Sequence, residues 1–147
     1  MSTAAGDDRA LATRRRLAAS PAQVFAAFRD PQRLARWWGP AGFRNHFENF
    51  EFRPGGRWKH EMEGPDGKRY PNEARFDAIE EPPRIVIRHV SAPGFTLTVT
   101  MAPAGDGTEL QWRQEFDSAD LRRQLEAVCT PANEQNLDRL AAALAAA

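Results

Sequence analysis

The sequence predicts an α+β fold, an antiparallel sheet covered on one face by a long C-terminal helix, and three observations carry that reading. Short alternating segments separated by tight-turn signals fill residues 45–116. One face of that alternation is greasy and the other wet, so the greasy face needs a cover. The period then changes from two to about 3.6, with Leu137, Leu140, Ala141 and Leu144 on a single helical face.

Taken in order, residues 1–9 read as a flexible lead-in and 10–147 as one domain. Leu11 to Ala18 is a first strand whose run Arg14-Arg15-Arg16 marks a solvated edge, and that edge is where a homodimer would pair. Two short helices follow. Ser20 with Pro21 and Gln23 forms a cap, an N1 proline and a capping box; Asp30-Pro31 repeats the start signal at once. Gly39-Pro40 stops the second helix directly after Trp37-Trp38.

Strands are expected over Asn45 to Phe52, Arg57 to Glu63, Lys68 to Ile79, Arg84 to Val90, Phe95 to Ala102 and Thr108 to Phe116. The turns between them are Arg53-Pro54-Gly55-Gly56, Gly64-Pro65-Asp66-Gly67, Glu81-Pro82-Pro83, Ala92-Pro93-Gly94 and Ala104-Gly105-Asp106-Gly107. In the last third, Ser118 to Val128 reads as one short helix, and Thr130-Pro131 as the start of another that runs to the end.

The greasy face carries Trp58, His60 and Met62, then Phe76, Ile87 and His89, then Leu97 and Val99, and finally Trp112 and Gln114. A mostly apolar surface with a few polar intruders suits a small-molecule site, with area for affinity and hydrogen bonds for orientation. Asn133 and Leu137 face it from the helix, and Trp38 from the turn. Successive helical residues point about 100° apart, so one of Trp37 and Trp38 is expected to pack and the other, Trp38 by preference, to line the mouth or a surface; alternatively both are packing residues. Either histidine can instead be satisfied locally at a strand end.

Other functions lose support. Twenty basic and twenty acidic residues cancel, giving no global field for nucleic acid or anionic membrane. Three histidines do not supply a ligand set, and no carboxylate joins them on the greasy face; neither a metal, a cofactor nor a catalytic residue is expected. The single cysteine, Cys129, is read as inert and fits a reducing compartment, so a cytoplasmic location is expected.

The spaced set Ser20-Pro21…Val24-Phe25, Asp30-Pro31…Leu34…Trp37-Trp38-Gly39-Pro40, Phe52-Arg53-Pro54-Gly55-Gly56-Arg57-Trp58, Gly64-Pro65-Asp66-Gly67 and Glu81-Pro82-Pro83-Arg84-Ile85-Val86 resembles the START-like, or SRPBCC, superfamily. Within it the chain is similar to the bacterial branch related to the C-terminal domain of the Hsp90 ATPase activator Aha1. The resemblance implies a helix-grip fold, about seven strands curved around the long helix, with a cavity between them. It implies a bound hydrophobic or aromatic molecule, or alternatively a chaperone-activator-like protein interaction, or else a cyclase- or hydrolase-like enzyme. Many relatives carry a Gly-Trp pair near the start of the last helix; here the stretch is Asn133-Glu134-Gln135-Asn136.

Overall fold

The computed structural model describes residues 8–80 and 84–146. Strand β1 (Ala10–Leu17) leads into helices α1 (Pro21–Arg29) and α2 (Pro31–Trp37). Strands β2 (Arg44–Phe50), β3 (Arg57–Glu63), β4 (Arg69–Glu80), β5 (Arg84–His89), β6 (Phe95–Ala104) and β7 (Gly107–Phe116) follow, and helix α3 (Ala119–Ala146) closes the chain. The sheet runs β1-β7-β6-β5-β4-β3-β2, every neighbouring pair antiparallel. This is the helix-grip arrangement. The expected lead-in lies mostly, and the Glu81-Pro82-Pro83 turn wholly, outside the described residues.

Both start signals operate as chemistry. Ser20 Oγ accepts from Gln23 N while Gln23 Oε1 accepts from Ser20 N, a reciprocal box that satisfies two helix-end donors. Asp30 closes α1 and caps α2, its Oδ1 accepting from Gln32 N at 3.0 Å. The helices need outside support, being only 9 and 7 residues long. They obtain it by burying Val24, Phe25, Ala27, Phe28, Leu34 and Trp37.

Two β-bulges decide which side chains reach the core. A strand alternates with period two, so residues three apart should face opposite ways. The pairing of β2 with β3 slips between Phe47 and Asn49, and Phe47 and Phe50 consequently share a face, their rings stacked at 5.6 Å. The slip between Phe76 and Ala78 likewise lets both Phe76 and Ile79 join the core.

One expectation fails. The C-terminal third is a single helix, not two, with Pro131 inside it. Thr130-Pro131 has the local form of a start signal. A proline in a helix interior costs one hydrogen bond and crowds the preceding turn; here the helix continues through it. Leu137 and Leu140 are fully buried by packing on the sheet and short helices, with Ala141 and Leu144 partly so.

Gly107 opens β7 where β1 ends. A Cβ there would lie 2.1 Å from Leu17 O, so backbone rather than a movable side chain blocks it. Gly107→Ala therefore destabilises the fold by about 2 kcal/mol or more, in the range of overpacking and backbone strain. Equilibrium urea unfolding reads this directly; a change under 0.5 kcal/mol would show that the β1–β7 seam yields.

Candidate functional site

The face of the sheet turned toward α3 carries the expected row, and its centre is aromatic. Trp58 and Trp112 are 1% and 3% exposed, His60 4%. Trp58 stacks on His60 with ring centroids 4.5 Å apart, and Phe47 closes on both at 5.5 and 5.4 Å. Trp38 lies 5.0 Å from Trp58 and 5.8 Å from Trp112, bridging two strands distant in the sheet.

Trp37 and Trp38 have different surroundings, set by something other than the helical step. Trp37 ends α2, fully buried, its Nε1 donating to Ala27 O at 3.2 Å. Trp38 has already left the helix, with extended φ −70° and ψ 135°. Its direction comes from helix termination, not from the 100° step between helical neighbours.

Four nitrogens at this centre are deeply buried and unpartnered among the described residues. They are Trp58 Nε1, Trp112 Nε1 and both ring nitrogens of His60. Such a group costs about 1–3 kcal/mol when left unpaired. Burial pulls the His60 pKa down from 6.5 to about 4, with nearby His89 adding to the effect. At neutral pH the imidazole is uncharged and offers one donor and one acceptor.

The other expected polar residues are satisfied by neighbours. His89 Nδ1 lies 2.8 Å from Pro93 O and Nε2 2.7 Å from Asn72 Oδ1, while its ring stacks on Phe95 at 4.5 Å. Burial lowers the His89 pKa, opposed by the hydrogen bond to Pro93. Asn133 Nδ2 donates to Gln114 Oε1 at 3.0 Å, tying α3 to β7. Met62 sits at the edge, its Cε where a Cβ on Gly39 would fall 2.6 Å away. Phe76, Ile87, Leu97, Val99 and Leu137 belong to the packed core.

Asn136, a further polar candidate on the helix, is 5% exposed and donates through Nδ2 to Trp37 O at 2.9 Å. Two features were not foreseen from the sequence. Phe47 and Phe50 join the aromatic cluster only through a bulge. Arg139 is the second. Its Nη1 donates to Trp38, Gly39 and Pro40 carbonyls at 2.9–3.0 Å, and its Nη2 to Arg36 and Phe43 carbonyls at 2.7 and 3.0 Å. The only sequence hint was an arginine placed between Leu137 and Leu140 of the apolar stripe.

Burial raises the Cys129 thiol, keeping it protonated and unreactive. Among the described residues no three His, Cys, Asp or Glu side chains gather as metal ligands would. No described helix is long and apolar enough to cross a membrane.

A model of the Activator of Hsp90 ATPase homolog 1-like family matches residues 18–145. The chain belongs to that family. A solved structure from Chromobacterium violaceum, 28% identical, superposes with a TM-score of 0.80, covering 90% of this chain and 95% of that one. One from Rhodobacter sphaeroides, 27% identical, gives 0.85 over 96% of this chain and 95% of that one. An AHSA1-like protein from Aeromonas hydrophila shares the fold at 20% identity and a TM-score of 0.75, covering 91% and 93%. No curated protein matches the chain.

Proposed function

We propose that this AHSA1-like protein binds a small hydrophobic or aromatic molecule between the sheet and α3, against Trp38, Trp58, His60 and Trp112. The observation that carries the reading is the set of four buried, unpartnered nitrogens, Trp58 Nε1, Trp112 Nε1 and both of His60. A dry aromatic cluster is stable without such groups, and leaving several unpaired is costly. A hydroxyl or carbonyl oxygen on a ring compound would accept from an indole N–H, and a hydroxyl would also donate to the neutral His60. With no carboxylate beside it, His60 gives a cationic ligand nothing to pair with. Entry requires the rings to part, and Trp38, partly exposed and off the end of its helix, is the one positioned to move.

The test pairs 2-naphthol with naphthalene, two ring systems differing by one hydroxyl. Binding of 2-naphthol shifts the Trp58 and Trp112 indole N–H resonances and raises the thermal midpoint more than naphthalene does. Trp58→Phe and Trp112→Phe, which keep a ring and remove the donor, shrink that difference. A broad panel of oxygenated ring compounds that leaves both indole resonances unmoved would end this reading.

A second reading, a chaperone-activator-like interaction, draws on the family's description alone. Stimulation of a purified bacterial Hsp90 ATPase by this chain would favour it; unchanged ATPase activity at saturating chain would remove it.

A further inference from the structure

We propose a second binding site, on the outer surface where α2 meets the C-terminal turns of α3, for a small amphipathic anion: a carboxylate or phosphate head on a short apolar body. The place is a hollow of about 680 Å³ lined by Arg33, Arg36 and Arg139 on one side and Ala142, Ala143 and Ala146 on the other. That volume lies within the range of small-molecule sites, roughly 300–1,000 Å³. It is distinct from the Trp58–His60–Trp112 interior and does not depend on it.

Charge supplies the argument. Across the chain, arginines are habitually matched with carboxylates: Arg9 with Glu115, Arg57 with Glu73, Arg69 with Glu61, Arg84 with Glu80 and Arg88 with Asp117 are examples. Arg33 and Arg36 break the pattern. Neither makes an ion pair or side-chain hydrogen bond among the described residues, and no aspartate or glutamate lines the hollow. In a chain whose formal charge is zero, this is a local excess of cation, not a reflection of composition.

The third cation is fixed. Arg139 is spent on backbone carbonyls, so its charge is held in place without a carboxylate to neutralise it. Burial lowers its pKa, but an arginine starts so high that it stays protonated. Arg33 and Arg36 stand three residues apart on α2, with Cβ atoms about 5–6 Å apart by helix geometry, a span that two guanidinium forks can close on one oxyanion. The carbonyl end of α3 contributes about half a negative charge, less than the two unpaired arginines bring.

The alanines decide what accompanies the head group. Ala142, Ala143 and Ala146 present methyl groups and no donor or acceptor side chain. An inorganic anion would use the arginines and leave that wall in water; an anion with an apolar tail uses both. The adjoining hollow, lined by Ala19, Gln23, Ala26, Arg33 and Leu144, continues the surface beyond Arg33 with the same lack of acidic side chains.

The test is an amide-resolved NMR titration of the full chain with octyl phosphate, octanol and inorganic phosphate as separate arms. Octyl phosphate is expected to shift amides near residues 33–36 and 139–146, with affinity falling as salt rises. Octanol and inorganic phosphate each bind at least about tenfold more weakly, since each lacks one of the two contacts. Arg33→Gln and Arg36→Gln, both surface changes checked for fold by circular dichroism, each weaken octyl phosphate by about tenfold, the loss of one charge-assisted contact. Octyl phosphate binding that is unaffected by both changes overturns the proposal. So do shifts confined to Trp58, His60 and Trp112, which would leave the interior reading standing. A Glu-rich hexapeptide that binds the same residues more tightly than octyl phosphate also overturns it, in favour of a protein partner.

Discussion

Replacing Arg139 with methionine lowers the thermal midpoint by roughly 6–12 °C, the shift that about 3 kcal/mol produces in a domain near 150 residues. Methionine keeps much of the stem's packing and removes the fork. Five carbonyl oxygens, those of Arg36, Trp38, Gly39, Pro40 and Phe43, then lose a donor that α3 supplies to the turn between α2 and β2. Hydrogen bonds from a charged donor contribute about 1.5–3 kcal/mol each, though bonds sharing one guanidinium do not add and water recovers part of the loss. Arg139→Lys recovers little, because an ammonium is a compact point donor and cannot span two groups of carbonyls. Differential scanning calorimetry checks the series. A lysine variant as stable as the wild type would mean that charge alone, not the planar fork, holds the turn.

Acidification exposes the second large effect, at His60. Its folded pKa is about 4 against 6.5 when unexposed to the fold. The depression means that below pH 6.5 the unfolded chain takes up a proton which the folded chain refuses. Stability from this group is therefore intact above pH 6.5, falls as pH drops from 6.5 toward 4, and stops falling below that. The integrated loss is about 3 kcal/mol. His60→Phe preserves the stack on Trp58 and eliminates both the titration and two unpaired nitrogens. Urea unfolding at pH 7 and pH 4.5 should show the wild type losing clearly more stability than the variant. Carboxylates such as Glu63 and Glu80 titrate in both proteins and cancel in the comparison. Parallel pH curves would mean that the imidazole is solvated in solution.

The fold was largely legible because it is written in periodicity. Strand after strand alternates one greasy face with one wet face, and glycine or proline punctuates each exchange. Capping signals at Ser20 and Asp30 are local, so they could be read without knowing what the helices touch. Thr130-Pro131 shows the limit of local signals. The same residues that open a helix elsewhere sit inside one here, because tertiary packing of Leu137 and Leu140 rewards continuation.

The site was less legible because its chemistry depends on partners far apart in the chain. His60 and His89 looked equivalent on the same face. Only the structure separates them: Asn72 and Pro93 hydrogen-bond His89, while among the described residues neither ring nitrogen of His60 has a hydrogen-bond partner. Bulges are similarly hidden, since one extra residue turns Phe47 and Phe50 onto a common face against the simple alternation. Arg139 carried no motif at all. Its importance comes from a turn about a hundred residues earlier.

All four tryptophans of the chain meet at one place. Trp38 touches Trp37 at 5.7 Å, Trp58 at 5.0 Å and Trp112 at 5.8 Å. Indoles this close share excitation, so the protein's ultraviolet fluorescence and near-ultraviolet circular dichroism come from a single coupled chromophore instead of four scattered ones. Whatever parts those rings is visible without an added label.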